Sequence, residues 1–297
     1  MKRSSFALVL LAIAVRAFAQ PSPAEIRRKE APSFAELVSL PLVYQAPHLD
    51  AVSVMRDLVY RKTPGGDLRM DIYLPKNSRR DHPVAFFIHG GVSPDEHPKD
   101  WGIYRSWGRT VAASGIIAVV FNQRLGYPAR RYDEGLSDVR EAMEYVRSRK
   151  NDIHAKDAFC LVAFSGGGTM LAPFLSETPT DVRCLVGFYP VLDTGDTNNR
   201  EAEVTDEQRR KYSAVAVAAS GQLSAVPIFI ARAGHDQIPG VKESIDRFLA
   251  LAMEKDANVT FVNHPTGLHG FDTRNDDPRS REIIVMAIDF LRRNLTK

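Results

Sequence analysis

Six short apolar runs, separated by amphipathic stretches and polar inserts, constrain this chain more than any other feature. They cover residues 84–88, 116–121, 158–164, 184–188, 226–231 and 259–262. A strand that is apolar at successive positions buries both faces, and parallel strands need a crossover to return the chain to the same end of the sheet. Residues 104–113, 133–149, 169–176, 241–253 and 279–295 supply such crossovers, with apolar side chains at helical intervals. The pattern predicts the α/β class: a mostly parallel central sheet with helices on both faces. Ligands in such folds sit beyond the carboxyl ends of the strands, so the residues just after each run matter most for chemistry.

Ahead of this set, residues 52–62 and 68–74 flank the turn signal Thr63-Pro64-Gly65-Gly66-Asp67, which predicts an N-terminal antiparallel hairpin. Residues 20–47, rich in Pro, Ala and charge, predict an arm without a function of its own, leading into one domain over 48–297. Residues 1–19 read as a secretory signal peptide. Lys2 and Arg3 precede an apolar run over 6–15, and Ala17-Phe18-Ala19 offers a small-x-small cleavage site before Gln20. At about 1.5 Å per residue that run spans roughly 15 Å, half of a bilayer core, so no stable membrane anchor is expected. The expected destination is a periplasm or the outside.

With 44% hydrophobic and 25% charged residues, the chain fits neither disorder nor collagen nor coiled coil. Lys2, Arg3 and Arg16 account for the whole excess of 39 basic over 36 acidic residues. The part after the leader is therefore neutral, and no nucleic-acid partner is expected. Cys160 and Cys184 lie inside apolar runs and read as buried thiols on neighbouring strands rather than a bridge. Without His-Glu-x-x-His or Cys-x-x-Cys, no metal site and no cofactor are expected. Oligomeric state leaves no mark in the sequence.

The run 158–164 leads into Ser165-Gly166-Gly167-Gly168 and then a helical stretch. A serine on so tight a strand-to-helix turn exposes its hydroxyl, and small neighbours let strand and helix approach. The Gly-x-Ser-x-Gly signature is met except at Ala163, which adds one methyl group. The run 84–88 ends in His89-Gly90-Gly91, where backbone N–H groups can face a reacting carbonyl oxygen. Serine is a weak nucleophile without a base, so a carboxylate and a histidine should follow it in chain order. Asp236 lies in the loop after 226–231, and His269, followed by Gly270, in the loop after 259–262. His264 competes with His269 but precedes Pro265; Asp193, at another strand end, competes with Asp236. His235 is expected to cap or to face solvent.

The Ser165 turn, His89-Gly90-Gly91, Gly234-x-Asp236-x-x-Pro239, His269-Gly270-Phe271 and the upstream Asp71-Ile72-Tyr73-Leu74-Pro75 together resemble the α/β-hydrolase superfamily, in its esterase/lipase branch with an HGG loop. The resemblance runs from about Val52 to the C-terminus. The chain is also similar to dienelactone-hydrolase-like proteins, which carry Cys where it has Ser165. The resemblance implies Ser165 as nucleophile, His269 as base and Asp236 as its orienting acid, with oxyanion N–H groups from Gly166 and the HGG loop. Val92 departs from a fuller HGGG pattern, leaving Gly91 or Val92 as the loop donor.

The expected activity is serine-dependent hydrolysis of a carboxylic ester, a small-molecule substrate. A serine peptidase of related fold and a non-catalytic binding protein are the alternatives. Residues 193–212 form a polar insert rich in Asp, Glu, Arg and Lys, expected to lie beside the Ser165 pocket. So charged a cap suits soluble esters with short acyl chains. Trp101, Tyr104, Trp107, Tyr189 and Phe271 are the aromatics expected near the site, most of them as packing.

Overall fold

The computed structural model describes residues 33–76, 80–93, 96–126, 130–195 and 204–296. The leader, residues 20–32 of the arm and residues 196–203 of the polar insert lie outside the described residues. The chain divides into two compact units, Met1–Leu37 and Val38–Lys297. In the first, Ser33 and Glu36 cap a helix start reciprocally, the Glu36 N–H donating to Ser33 Oγ and the Ser33 N–H to Glu36 Oε2.

The second unit is built on eight strands: β1 (Ser53–Thr63), β2 (Gly66–Leu74), β3 (His82–Ile88), β4 (Ile117–Phe121), β5 (Ala155–Phe164), β6 (Val182–Phe188), β7 (Ile228–Ala233) and β8 (Val259–His264). They form one sheet in the order β1-β2-β4-β3-β5-β6-β7-β8. Only β1–β2 and β2–β4 pair antiparallel; the remaining pairs are parallel. The hairpin turn is tighter than its Gly/Pro signal suggests, because Thr63 pairs directly with Gly66.

Both faces of the sheet are covered, as continuous apolar strands require. In β3, Val84, Phe86 and Ile88 join one cluster with Leu136 and Val139 of α2 (Tyr132–Ser148) and Ile245 and Phe248 of α6 (Val241–Glu254). Ala85 and Phe87 point to the other, with Trp107 and Val111 of α1 (Gly102–Ala113) and Ile283, Ile284 and Leu291 of α8 (Pro278–Leu295). Each fully buried Phe among these is worth about 1.5–3 kcal/mol. Cys160 and Cys184 face each other in register on β5 and β6, buried and free.

Two helical details differ from the sequence expectation. The stretch 169–176 opens as a 3-10 segment, Ser165–Leu171, before the short α3 (Ala172–Ser176). Its glycines favour the tighter turn that holds Ser165 at the carboxyl end of the central strand β5. The polar insert contains α4 (Asp206–Lys211), followed by α5 (Ala214–Ser220). Thr205 and Gln208 cap α4 as a reciprocal box. Asp133 of α2 anchors this stretch by accepting from Lys211 Nζ, Gln208 Nε2 and Tyr212 Oη at 2.6–2.7 Å. Those bonds, led by Lys211, hold the Asp133 carboxyl down at about 2. A further short helix, α7 (Phe271–Arg274), comes directly after the loop that carries His269.

Candidate active site

Ser165 is the first residue after β5 and takes φ +51°, a left-handed conformation uncommon for a residue with a side chain. Such strain persists only where the surroundings over-determine it. Here the Val191 N–H, from the turn after β6, donates to Ser165 O at 2.8 Å. The next residues run directly beneath the β3 loop. A Cβ added at Gly167 would stand 2.5 Å from His89 O, so no side chain fits there.

Asp236 follows β7 and His269 follows β8, and their two loops are laced together. The Gly234 N–H donates to His264 O at 2.8 Å and the His235 N–H to Gly267 O at 2.9 Å. Asp236 Oδ1 accepts the Ile238 N–H, while Oδ2 accepts His269 Nδ1–H at 2.7 Å. On the other side of the ring, His269 Nε2 lies 2.9 Å from Ser165 Oγ. A carboxylate can only accept, so Nδ1 carries the proton and Nε2 is left to accept from the hydroxyl. The Asp236 side chain is fully buried, whereas that of His269 keeps 16% of its surface. The sequence thus brings Ser165, His269 and Asp236 into one hydrogen-bonded line.

The competing residues stand outside this line. Asp193 lines the Ser165 cavity, but its carboxylate is engaged by Arg247, Ser213 and the Gly195 N–H. His264 is buried against α8, and His235 is exposed. Of the oxyanion candidates, Gly91 and Gly166 line the same cavity as Ser165; Val92 lines a separate one with Gln123 and Arg124. The Gly91 N–H group is close to Gly166, where an added Cβ would meet Gly91 N at 2.8 Å.

His89 fixes this loop. Its Nδ1–H donates to Gly90 O at 2.7 Å, and its Nε2 accepts the Gln123 N–H at 3.1 Å. Complete burial pushes its pKa down to about 4, so the ring stays neutral. Tyr104 Oη accepts the Gly90 N–H.

The cavity over Ser165 measures about 140 Å³. Its walls are Leu125, Tyr132, Val191, Ile238, Pro239 and Val241, with Arg130 and Asp193 as the charged members. Tyr132 is thus the aromatic in the cavity. Tyr104, Trp107, Tyr189 and Phe271 are buried around it, packing as most of the expected aromatics should.

One buried carboxylate escaped the sequence reading. Asp272, fully buried in α7, accepts Trp107 Nε1–H on Oδ2 and Tyr189 Oη–H on Oδ1, both at 2.8 Å. Desolvation raises its pKa, opposed by those two bonds. Its partners lie 165 and 83 residues away in the chain, so no local motif announces them.

An eight-stranded, mostly parallel sheet with a serine on a strained strand-to-helix turn, an acid after β7 and a histidine after β8 defines the α/β-hydrolase architecture. The chain has the α/β-hydrolase fold. The BD-FAE family profile matches residues 70–180. Among solved structures, a truncated carbohydrate esterase from gut microbiota superposes with a TM-score of 0.66 at 17% identity, over 85% of this chain and 100% of that one. The apo form of Thermogutta terrifontis esterase 2 gives 0.61 at 19% identity, over 83% and 96%. The Pyrococcus horikoshii acylaminoacyl peptidase gives 0.64 at 17% identity, over 83% of this chain but 42% of the peptidase. A probable isoprenylcysteine alpha-carbonyl methylesterase from Oryza sativa subsp. japonica is 29% identical over 98 residues, 31% of this chain and 21% of that protein. A non-reducing polyketide synthase from Stachybotrys bisbyi is 24% identical over 141 residues, 45% of this chain and 6% of the synthase. The chain therefore spans a minor part of the curated relatives it matches.

Proposed function

We propose that this chain is a serine-dependent carboxylic ester hydrolase acting on small soluble esters. The observation that carries the reading is the unbroken line from Ser165 Oγ through His269 to Asp236, at 2.9 and 2.7 Å. Ser165 Oγ attacks the ester carbonyl as His269 Nε2 takes its proton, while Asp236 holds the ring in the required tautomer. The tetrahedral oxyanion faces the backbone amides of Gly91 and Gly166, a stabilisation worth about 3 kcal/mol per donor. His269 then returns the proton to the departing alcohol. Water, deprotonated by the same ring, attacks the acyl-enzyme and releases the acid.

The esterases among the structural neighbours and the methylesterase relative support ester hydrolysis over other chemistries of this fold. Substrate size follows from the cavity. A volume of about 140 Å³ falls below the roughly 300 Å³ at which pockets begin to hold drug-sized ligands, so it suits short acyl groups.

The test is hydrolysis of p-nitrophenyl esters from acetyl to dodecanoyl by the wild-type chain and Ser165→Ala. The substitution should lower kcat by about 10⁶. Wild-type kcat/KM should be flat or falling beyond butyryl. Retained turnover in Ser165→Ala would defeat the mechanism. Each methylene buried in an apolar channel would add about 0.8 kcal/mol, so a steady rise to ten carbons would defeat the size assignment. An acetyl-amino-acid amide cleaved faster than the acetyl ester would move the chain to the peptidases.

A further inference from the structure

Tyr189, the residue after β6, is held more tightly than core packing requires. It takes φ +37°, a left-handed conformation uncommon for a bulky residue. Two bonds oppose that strain: its N–H donates to Ala231 O at 2.7 Å and its Oη–H to Asp272 Oδ1 at 2.8 Å. Asp272 is itself tied to α1 through Trp107 Nε1. The effect of this constraint is to set the Tyr189 ring against His269, with ring centroids 4.5 Å apart and planes at 56°. The same turn holds the nucleophile, because Val191, two residues on, bonds Ser165 O.

A phenol whose hydroxyl is donated to a buried carboxylate has an electron-rich ring. A cation within about 6 Å of such a ring centroid is attracted to it. His269 becomes that cation when it takes the Ser165 proton. We propose that Tyr189, anchored by Asp272, is a positioning residue for His269, and that its ring stabilises the imidazolium formed during ester hydrolysis. The inference rests on the serine-hydrolase reading.

The charged and titratable groups around His269 are few. Asp236 accepts from Nδ1, Ser165 bonds Nε2, and the Arg274 guanidinium donates to the His269 carbonyl. Asp272 lies behind Tyr189, with Tyr104 and Phe271 packed in the same cluster. His264 is separated from this group by Phe271. Tyr189 is absent from the walls of the Ser165 cavity, so its loss should act on kcat rather than on substrate binding.

The experiment compares Tyr189→Phe, Tyr189→Leu and Asp272→Asn with wild type by the pH profiles of kcat and kcat/KM on an acetyl ester, after phosphonate labelling of Ser165 has verified the nucleophile. Tyr189→Leu should lower kcat about tenfold with KM within twofold. It should also move the acid limb of kcat/KM down by about half a pH unit, as the protonated ring loses its support. Tyr189→Phe, which keeps the ring, and Asp272→Asn, which keeps the shape but removes the charge, should move the limb the same way by less. A role in folding alone would lower melting temperature and leave the limb in place, and that result overturns the proposal. If Tyr189→Leu does not fold, the other two variants decide by the same limb. Failure of Ser165 to label would instead overturn the hydrolase reading.

Discussion

Two histidines stand five residues apart at the end of β8, each with a serine and an aspartate in hydrogen-bond reach, and the two use their ring nitrogens differently. His269 uses opposite nitrogens, Nδ1 to Asp236 and Nε2 to Ser165. His264 directs one nitrogen, Nε2, at both partners: Ser280 Oγ at 3.0 Å and Asp277 Oδ1 at 3.2 Å. Its Nδ1 is buried with no hydrogen-bond partner among the described residues. Asp277 is also committed elsewhere, because it caps α8 by accepting the Ser280 N–H at 2.8 Å. Burial raises the Asp277 pKa, but the Ser280 bond and His264 outweigh it and hold the carboxyl below its usual range. The side chain of His264 is 1% exposed, out of reach of substrate. Residue types and proximity therefore do not define a triad; two nitrogens facing opposite partners at the end of a cavity do.

The sharpest way to break this comparison is to disable each pair in turn. Asp236→Asn should reduce kcat by about 10⁴, because the amide favours the wrong tautomer of His269. Asp277→Ala should leave kcat within a few-fold and cost about 1 kcal/mol of stability through the lost cap, read as a lower melting temperature. His269→Ala and His264→Ala should divide the same way, the first in activity and the second in stability. Loss of turnover in the Asp277 and His264 variants, with Asp236→Asn active, would transfer the function to the buried pair.

A third histidine extends the contrast to pH. His89 is buried with no carboxylate in contact, and its folded pKa is about 4 against about 6.5 for a free imidazole. A depressed histidine pKa means the unfolded chain binds the proton more readily. Its contribution to stability is present above pH 6.5 and is lost as pH falls from there to about 4, a total of about 3 kcal/mol. Urea midpoints measured across that window should fall in the wild type, and His89→Asn should remove this part of the slope. An unchanged slope in the variant would show that His89 is not held neutral as described.

The strands and three members of the candidate site are legible because their signals are local. Apolar runs buried on both faces cannot be confused with surface helices, and Ser165, Asp236 and His269 each carry a glycine or proline context at a strand end. The helix α5 went unread because Ala214-Val215-Ala216-Val217-Ala218-Ala219 has no polar stripe to set a period. The Thr205-x-x-Gln208 capping box did announce α4, within a stretch read only for its charge. The tie among Tyr189, Asp272 and Trp107 was illegible for a different reason. It joins three distant segments, and nothing in any one of them marks a shared hydrogen bond.

The most direct test of the account is covalent labelling with a fluorophosphonate, mapped by peptide mass spectrometry on the wild type, His264→Ala and His269→Ala. One phosphonylated residue is expected, Ser165, formed at similar rates in wild type and His264→Ala and at least a thousandfold more slowly in His269→Ala. Label on a different residue, or rapid labelling of Ser165 in His269→Ala, would contradict it.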